Sequence, residues 1–434
     1  MEKFILVFML MTGLFASPLQ AQNFLIQDVD ADGLKDTIQL DTVRRQLEAK
    51  LSLQHFNPIN SAAGLELTNS TYLQAEDNGF SYNVSYMRGG FSARFIYDVP
   101  SGTILLKELN QWNASSGTSG AYEAELDVET GLFTMRSEYW DAEAETWNSA
   151  EPLQKQVYYP GITLSDFSED LLEYFTNQNA LLRGDFSDEI MEGESMEIIP
   201  NKGYTWLGSL GEDIPVFLQF QVSGESFGNK GHLVVGSLRY LKNRQGTSIP
   251  LIGTYSQSGN LRLNEYSAEG EVTGIITGHL QGFLFKGDWD QPYQDKNFSM
   301  KLYYLGLHRP AESMDTLPGD IFGAYHYNYS EQGPQGDVVL EKINEKQAEL
   351  SMFGVTSAPS RNMADGADKT RIDLPQSTHF TYNISYDEEA CPTCKVELYF
   401  FKHFLYVIYP EEENVCKGFF GHNATLEGIY YKVR

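Results

Sequence analysis

Positive charge and cysteine are both scarce in this sequence. Lysine and arginine total 31 against 59 aspartates and glutamates, giving a net charge of -28. A chain so acidic is repelled by nucleic acid phosphates and by anionic membrane surfaces, which excludes nucleic acid as a partner. Divalent cations are its natural complement. The three cysteines, Cys391, Cys394 and Cys416, all lie near the C-terminal end. Three are too few for a disulfide framework and make a poor zinc site, even with His403 and His422 nearby. After the N-terminus no apolar run approaches the length needed to span a bilayer. The sequence also has no HExxH, no P-loop, no GxGxxG and no GxSxG. Its eight histidines are scattered, and with 59 acidic residues some carboxylate pair will always look suited to acid–base work. No catalytic residue is therefore assigned, and no turnover of glycan, peptide or ester is expected.

The N-terminus points to export. Lys3 gives a short positive region, and Phe4 to Phe15 is apolar apart from Thr12 and Gly13. Ser17, Pro18 and Ala21 then precede polar Gln22 and Asn23. Charge, apolar core and small residues in this order predict a signal peptide over 1–21 rather than a membrane anchor. The mature chain is expected to be secreted, periplasmic or at the cell surface, where disulfides persist.

Aromatic residues are abundant, at 13%, and they alternate with polar ones as strands require. Phe80, Tyr82, Val84 and Tyr86 alternate, then Phe91, Ala93, Phe95 and Tyr97 after Gly89-Gly90, which reads as a hairpin turning at the glycines. Tyr122, Ala124, Leu126 and Val128 repeat the pattern before a Glu129-Thr130-Gly131 turn. One helix follows, with Phe167, Leu171, Leu172 and Phe175 on one face and Asp166 and Glu169 at capping-box spacing. The Asp-, Glu- and Gly-rich stretch 184–203 reads as a linker. Between Tyr204 and His308, seven or eight short strands recur with turn signals, including Val216, Leu218, Phe220, Val222 and Phe298, Met300, Leu302. Such a set suits a small antiparallel barrel or sandwich, either filled by side chains or holding one small ligand. In the last region Tyr325, Tyr327 and Tyr329 alternate, and Val396–Phe401 and Phe404–Tyr409 form an apolar pair turning at Lys402-His403. The reading is all-β, with tandem antiparallel β-sandwich or barrel domains and one short linking helix. Its expected bounds are 22–160, a helix and linker at 161–203, a barrel-like domain at 204–309 and a last domain at 310–434.

One motif carries chemistry. Asp28, Asp30 and Asp32 alternate, Gly33 allows a sharp turn, and Asp36 follows three residues later. Calcium takes six to eight oxygens, and this spacing can turn Asp28, Asp30, Asp32 and Asp36 and the Leu34 carbonyl onto one ion, with Lys35 outside. The spacing fits the first nine positions of an EF-hand loop. The twelfth position, however, is Gln39 rather than a glutamate, and Thr37 to Leu40 alternate like a strand. The pattern DxDxDGxxD followed by a strand resembles the calcium loops of FG-GAP and VCBS-type repeats, over residues 26–54 and in a single copy. The wider layout resembles exported proteins of Bacteroidetes-type bacteria whose function is unknown. The resemblance implies a structural ion.

Two further features bear on partners. Trp140 and Trp147 flank an acidic loop, Asp141 to Glu145, and offer a candidate glycan contact. For the cysteines, a turn centred between Lys402 and His403 sets Cys391 opposite Asn414 and Cys394 opposite Glu411. Strict register favours Cys391 as partner of Cys416. A bulge over Glu411 to Asn414, with Pro392 loosening the segment at Cys391, favours Cys394 instead, and a Cys394–Cys416 disulfide is expected. The function reading is a calcium-stabilised, non-catalytic envelope protein that binds an unknown protein or glycan. A barrel carrier or inhibitor and a glycan-processing hydrolase are the alternatives.

Overall fold

The structure is a computed structural model, and it describes residues 23–114, 120–157, 159, 161–183, 197–211, 213–227, 231–242, 248–308, 314, 317–384, 394–410 and 420–433. The expected signal peptide, most of the 184–203 linker, Cys391 and Cys416 fall outside the described residues. The fold is all-β, with one α-helix among the described residues, and it divides into two compact units, 1–180 and 181–434. No helix among the described residues is long and apolar enough to cross a membrane.

The first unit holds two antiparallel sheets. A small one orders Phe24–Gln27, Asp36–Asp41, Gln46–Lys50 and Pro58–Asn60 in sequence. A larger meander begins at Thr71–Glu76 and runs strand by strand to Thr146–Ser149. The alternation read from Phe80 to Tyr97 is the buried face of this sheet: Phe80, Tyr82, Ala93 and Phe95 have no exposed surface. Phe80 pairs with Phe95 across the strands, their rings 5.1 Å apart. The turn itself differs from the expectation. Gly89 and Gly90 already lie in the second strand, opposite Tyr86 and Ser85, so Met87-Arg88 makes the turn. Gly90 is needed for space: a Cβ there would stand 2.0 Å from the Trp112 indole.

The helix spans Glu169–Arg183 and closes the apolar face of the meander. Phe167, just before it, packs edge-on against Tyr82 and Phe95, and Phe175 against Phe91 and Phe133. Its cap also differs from the expected Asp166–Glu169 box. Ser168 Oγ accepts the Leu171 amide, while Asp166 turns back to accept from Thr163 N and Oγ1. A hydroxyl directly before the first turn outcompetes the earlier carboxylate.

The second unit contains a closed barrel of eight antiparallel strands from Gly203–Leu210 to Asn297–His308, the last pairing with the first. Alternate residues of every strand fill its lumen. Trp206 is fully buried between Phe220 and Tyr304, and Val216, Leu218, Leu263, Ile276, Phe285 and Leu302 surround them. The barrel thus takes the filled form of the two expected. An eight-stranded antiparallel sheet follows, in which the final strand, Gly428–Lys432, inserts between Gly323–Asn328 and Phe404–Ile408. Leu233, Ile252, Tyr266 and Val272 on the outer barrel wall share one core with Tyr325, Leu350, Val396 and Leu405 of this sheet. The hairpin at Lys402-His403 forms as expected, with Glu397 opposite Ile408 and Phe400 opposite Leu405, and it is buried on both faces.

Candidate metal centre

Residues 28–35 form the loop between two paired strands, Phe24–Gln27 and Asp36–Asp41, which meet at the pair Gln27 and Asp36. No helix flanks the loop, so it is a hairpin loop rather than an EF-hand. Gly33 sits at φ +87°, and a Cβ there would meet nothing within 4 Å, so its role is conformational rather than steric. Asp36 starts a strand whose alternate residues are buried, and this alternation turns its carboxylate inward.

The structure brings Asp28, Asp30 and Asp36 together, with one carboxylate oxygen from each lying within 4.8 Å of the others. Two oxygens bound about 2.4 Å from one ion can stand no more than about 4.8 Å apart, so the spacing suits a single calcium. Asp36 is 0% exposed and Asp30 3%, whereas Asp28 is at the surface. None of the three is paired with a basic side chain among the described residues. Their partners are donors of the backbone and one hydroxyl. Asp36 accepts from the amides of Val29 at 2.7 Å, Asp30 at 3.2 Å and Ser52 at 2.8 Å. Asp30 accepts from Asp32 N at 3.4 Å, Leu53 N at 3.1 Å and Ser52 Oγ at 3.3 Å. Asp28 accepts only the Gly33 amide, at 2.9 Å. A carboxylate offers about four lone-pair sites, so each buried group keeps about one free and Asp28 more.

Asp32 stays outside this trio. Its Oδ2 accepts Ser52 Oγ at 2.7 Å and its Oδ1 the Leu34 amide at 2.7 Å. The Ser52 hydroxyl, first of these donors, holds its pKa below the ordinary aspartate value. Leu34 lies at the exposed tip of the loop. Ser52 and Leu53, from a short 3-10 turn at Ser52–Gln54, were missed by sequence reasoning. They lie 16 and 23 residues from the carboxylates they bind, and only the break of the strand pattern after Lys50 marks them.

The donor set is wholly oxygen, buried on one side and open at Asp28, which fits a hard divalent cation and not a soft one.

Trp140 and Trp147 are direct cross-strand partners at a hairpin end, with ring centroids 5.7 Å apart and planes at 67°. Trp147 is 43% exposed. The acidic loop between them is closed by Asp141 Oδ1, which accepts the amides of Glu143 and Ala144. Cys394 is fully buried at the start of Cys394–Phe400. Its expected pairing with Cys416 lies outside the described residues.

No protein-family model and no curated protein matches the chain. Among solved structures, two substrate complexes of mutant prolyl oligopeptidase B from Galerina marginata align over 88% of the chain, at 7% and 8% identity. The TM-score is 0.11 for both, and the alignments span 45% and 44% of those proteins, so neither carries an argument about fold or activity.

Proposed function

We propose that this chain is an exported, non-catalytic binding protein whose first unit is braced by one calcium ion. Asp28, Asp30 and Asp36 supply its carboxylates, with Asp32 and the Leu34 carbonyl as further ligands. The observation that carries this reading is a pair of buried carboxylates, Asp30 and Asp36, set beside a third with no basic side chain to balance them. Buried charges are ordinarily paired or bound to metal. The backbone amides that hold Asp30 and Asp36 keep the site preformed, so the ion would tie the hairpin loop to the 3-10 turn. The resemblance of the loop to FG-GAP and VCBS-type calcium loops supports the same role. Export rests on the N-terminal pattern, and an oxidising compartment rich in calcium suits both the loop and the cysteines. The filled barrel weighs against a carrier holding its ligand in the lumen.

Calorimetric titration of chelator-stripped protein with calcium tests the reading. One site per chain is expected, lost in Asp28→Ala and Asp30→Asn. Absence of binding heat in the intact chain, under conditions where it is folded, would overturn it.

A further inference from the structure

We infer that a cleft in the second unit, between the outer barrel wall and the C-terminal sheet, binds a neutral oligosaccharide. This goes beyond the calcium reading, uses none of its residues and stands independently of it.

The cleft encloses about 470 Å³, within the usual range for ligand pockets. It is lined by Tyr327 and Ile429, by the polar side chains Arg262 and Glu427, and by the exposed Tyr293. Arg262 and Glu427 also line an adjoining recess of about 220 Å³, which reaches Asn264 and Thr254. Beyond Arg262 the surface opens into a shallow dish on the barrel wall. Strand register explains the dish. Thr254, Arg262, Thr277 and Asp288 form one row across four strands, and Asn260, His279 and Lys286 form the next. Hydroxyl, amide, guanidinium and carboxylate groups thus line one continuous track.

Three observations mark the cleft as a built site. Tyr293 is 57% exposed yet held at φ +56°, a strained conformation for an aromatic residue. Its hydroxyl bonds Ser357 Oγ at 2.8 Å, and its ring lies over Gly333, where a Cβ would stand 2.7 Å from Cε2. The fold therefore fixes an exposed aromatic face at the mouth of a mainly apolar cleft that carries a few polar groups. Second, Asn264 is 6% exposed, and its Nδ2 reaches Tyr266 Oη at 3.4 Å and Tyr329 Oη at 3.2 Å, leaving Oδ1 without a partner. Turning the amide over would only move the vacancy to the nitrogen. The recess is thus lined by a buried amide whose hydrogen-bonding capacity the fold does not use up. Third, Gly428 lines the cleft at a point where a Cβ would crowd the Tyr327 ring, 3.0 Å away.

Charge selects the class of ligand. Arg262 balances Glu427, and Lys286 balances Asp288, so the track is neutral on a chain of net charge -28. A polyanion would be repelled by the rest of the surface and gain no net attraction here. A neutral sugar offers hydroxyls to the planar groups of Arg262 and Glu427 and an apolar face to Tyr293.

The test is a glycan array of neutral and acidic oligosaccharides, probed with the intact chain and with Tyr293→Ala and Arg262→Met. Both positions are exposed; Tyr293→Ala gives up the Ser357 hydrogen bond and the contact over Gly333 while relieving its own strained backbone, and melting curves of both variants establish that they are folded, with Arg262→Met the variant that leaves the Tyr293 contacts in place. Binding to at least one neutral glycan is expected, weakened about tenfold or more in each variant, because aromatic and arginine anchors carry most of a site's affinity. The same binding should persist in Asp28→Ala, which separates this inference from the calcium reading. Absence of any glycan binding, binding to acidic glycans alone, or binding unchanged in both variants would overturn it. The last result would place a sugar elsewhere, for example at Trp140 and Trp147.

Discussion

Removing calcium should lower the melting temperature of the first unit by an amount the site geometry allows to be estimated. Asp30 and Asp36 are buried, with carboxylate oxygens within 4.8 Å of each other. At the effective dielectric that reproduces measured charge interactions, two such charges repel by about 3 kcal/mol. The amides of Val29, Asp30, Ser52 and Leu53 offset part of this, and an added dication relieves the remainder. An ion that binds only the folded state, at 100 times its dissociation constant, stabilises by about 2.7 kcal/mol. For a unit of this size that corresponds to a shift of roughly 5–11 °C. Differential scanning calorimetry with calcium and with chelator measures it. Asp28→Ala provides the control, because Asp28 is exposed and accepts one hydrogen bond. Its chelated stability should fall by no more than about 1 kcal/mol, while its calcium response disappears. Asp36→Ala is a different perturbation. It strands three amides and should cost several kcal/mol, by order of magnitude, whether or not calcium is present. Identical melting curves with calcium and chelator would refute the reasoning and reduce the motif to a hydrogen-bonded turn.

Three other outcomes follow. Trp206→Ala should destabilise the second unit by about 3–5 kcal/mol, read by denaturant unfolding, since the indole fills the barrel between Phe220 and Tyr304; a loss under about 1 kcal/mol would mean the lumen is loosely packed. Glu265 is 2% exposed, takes the Tyr240 hydroxyl at 2.9 Å, and has its pKa raised, mainly by burial. Its folded state holds the proton more tightly, so this contribution to stability is full below the unfolded pKa and is lost as pH rises through the folded one. Glu265→Gln should therefore match the parent in acid and melt higher than it at pH 8; a lower melting point at pH 8 would show that the charged form is the one the fold favours. Non-reducing peptide mapping should link Cys416 to Cys394, whereas a Cys391–Cys394 link would break the expected clamp.

Strand content and the helix face were legible because they rest on local periodicity. Phe80 to Phe95 and Phe167 to Phe175 carry period two and period 3.6 in the sequence, and packing used those same faces. What was not legible depends on distant chain. Barrel closure pairs Gly203 with His308, and no local pattern announces that. Tyr266 and Ile252 read as ordinary strand residues, yet they belong to the core of the following sheet. In the first hairpin loop the convergence of Asp28, Asp30 and Asp36 was readable from spacing. Spacing could not reveal that Ser52, 20 residues on from Asp32, would donate to its carboxylate. The cleft at Arg262 was invisible for the same reason. Its residues come from separate stretches of chain and converge only when barrel and sheet pack together.

A calcium ion at the first hairpin loop can be seen directly if it is there. A crystal structure grown with calcium, with anomalous difference density, tests it most directly. One peak about 2.3–2.6 Å from oxygens of Asp28, Asp30 and Asp36 is predicted, with Asp32 or the Leu34 carbonyl drawn into the shell. A well-ordered loop at saturating calcium with no peak, its carboxylates bound only to the amides of residues 29–33 and 52–53, would rule the ion out.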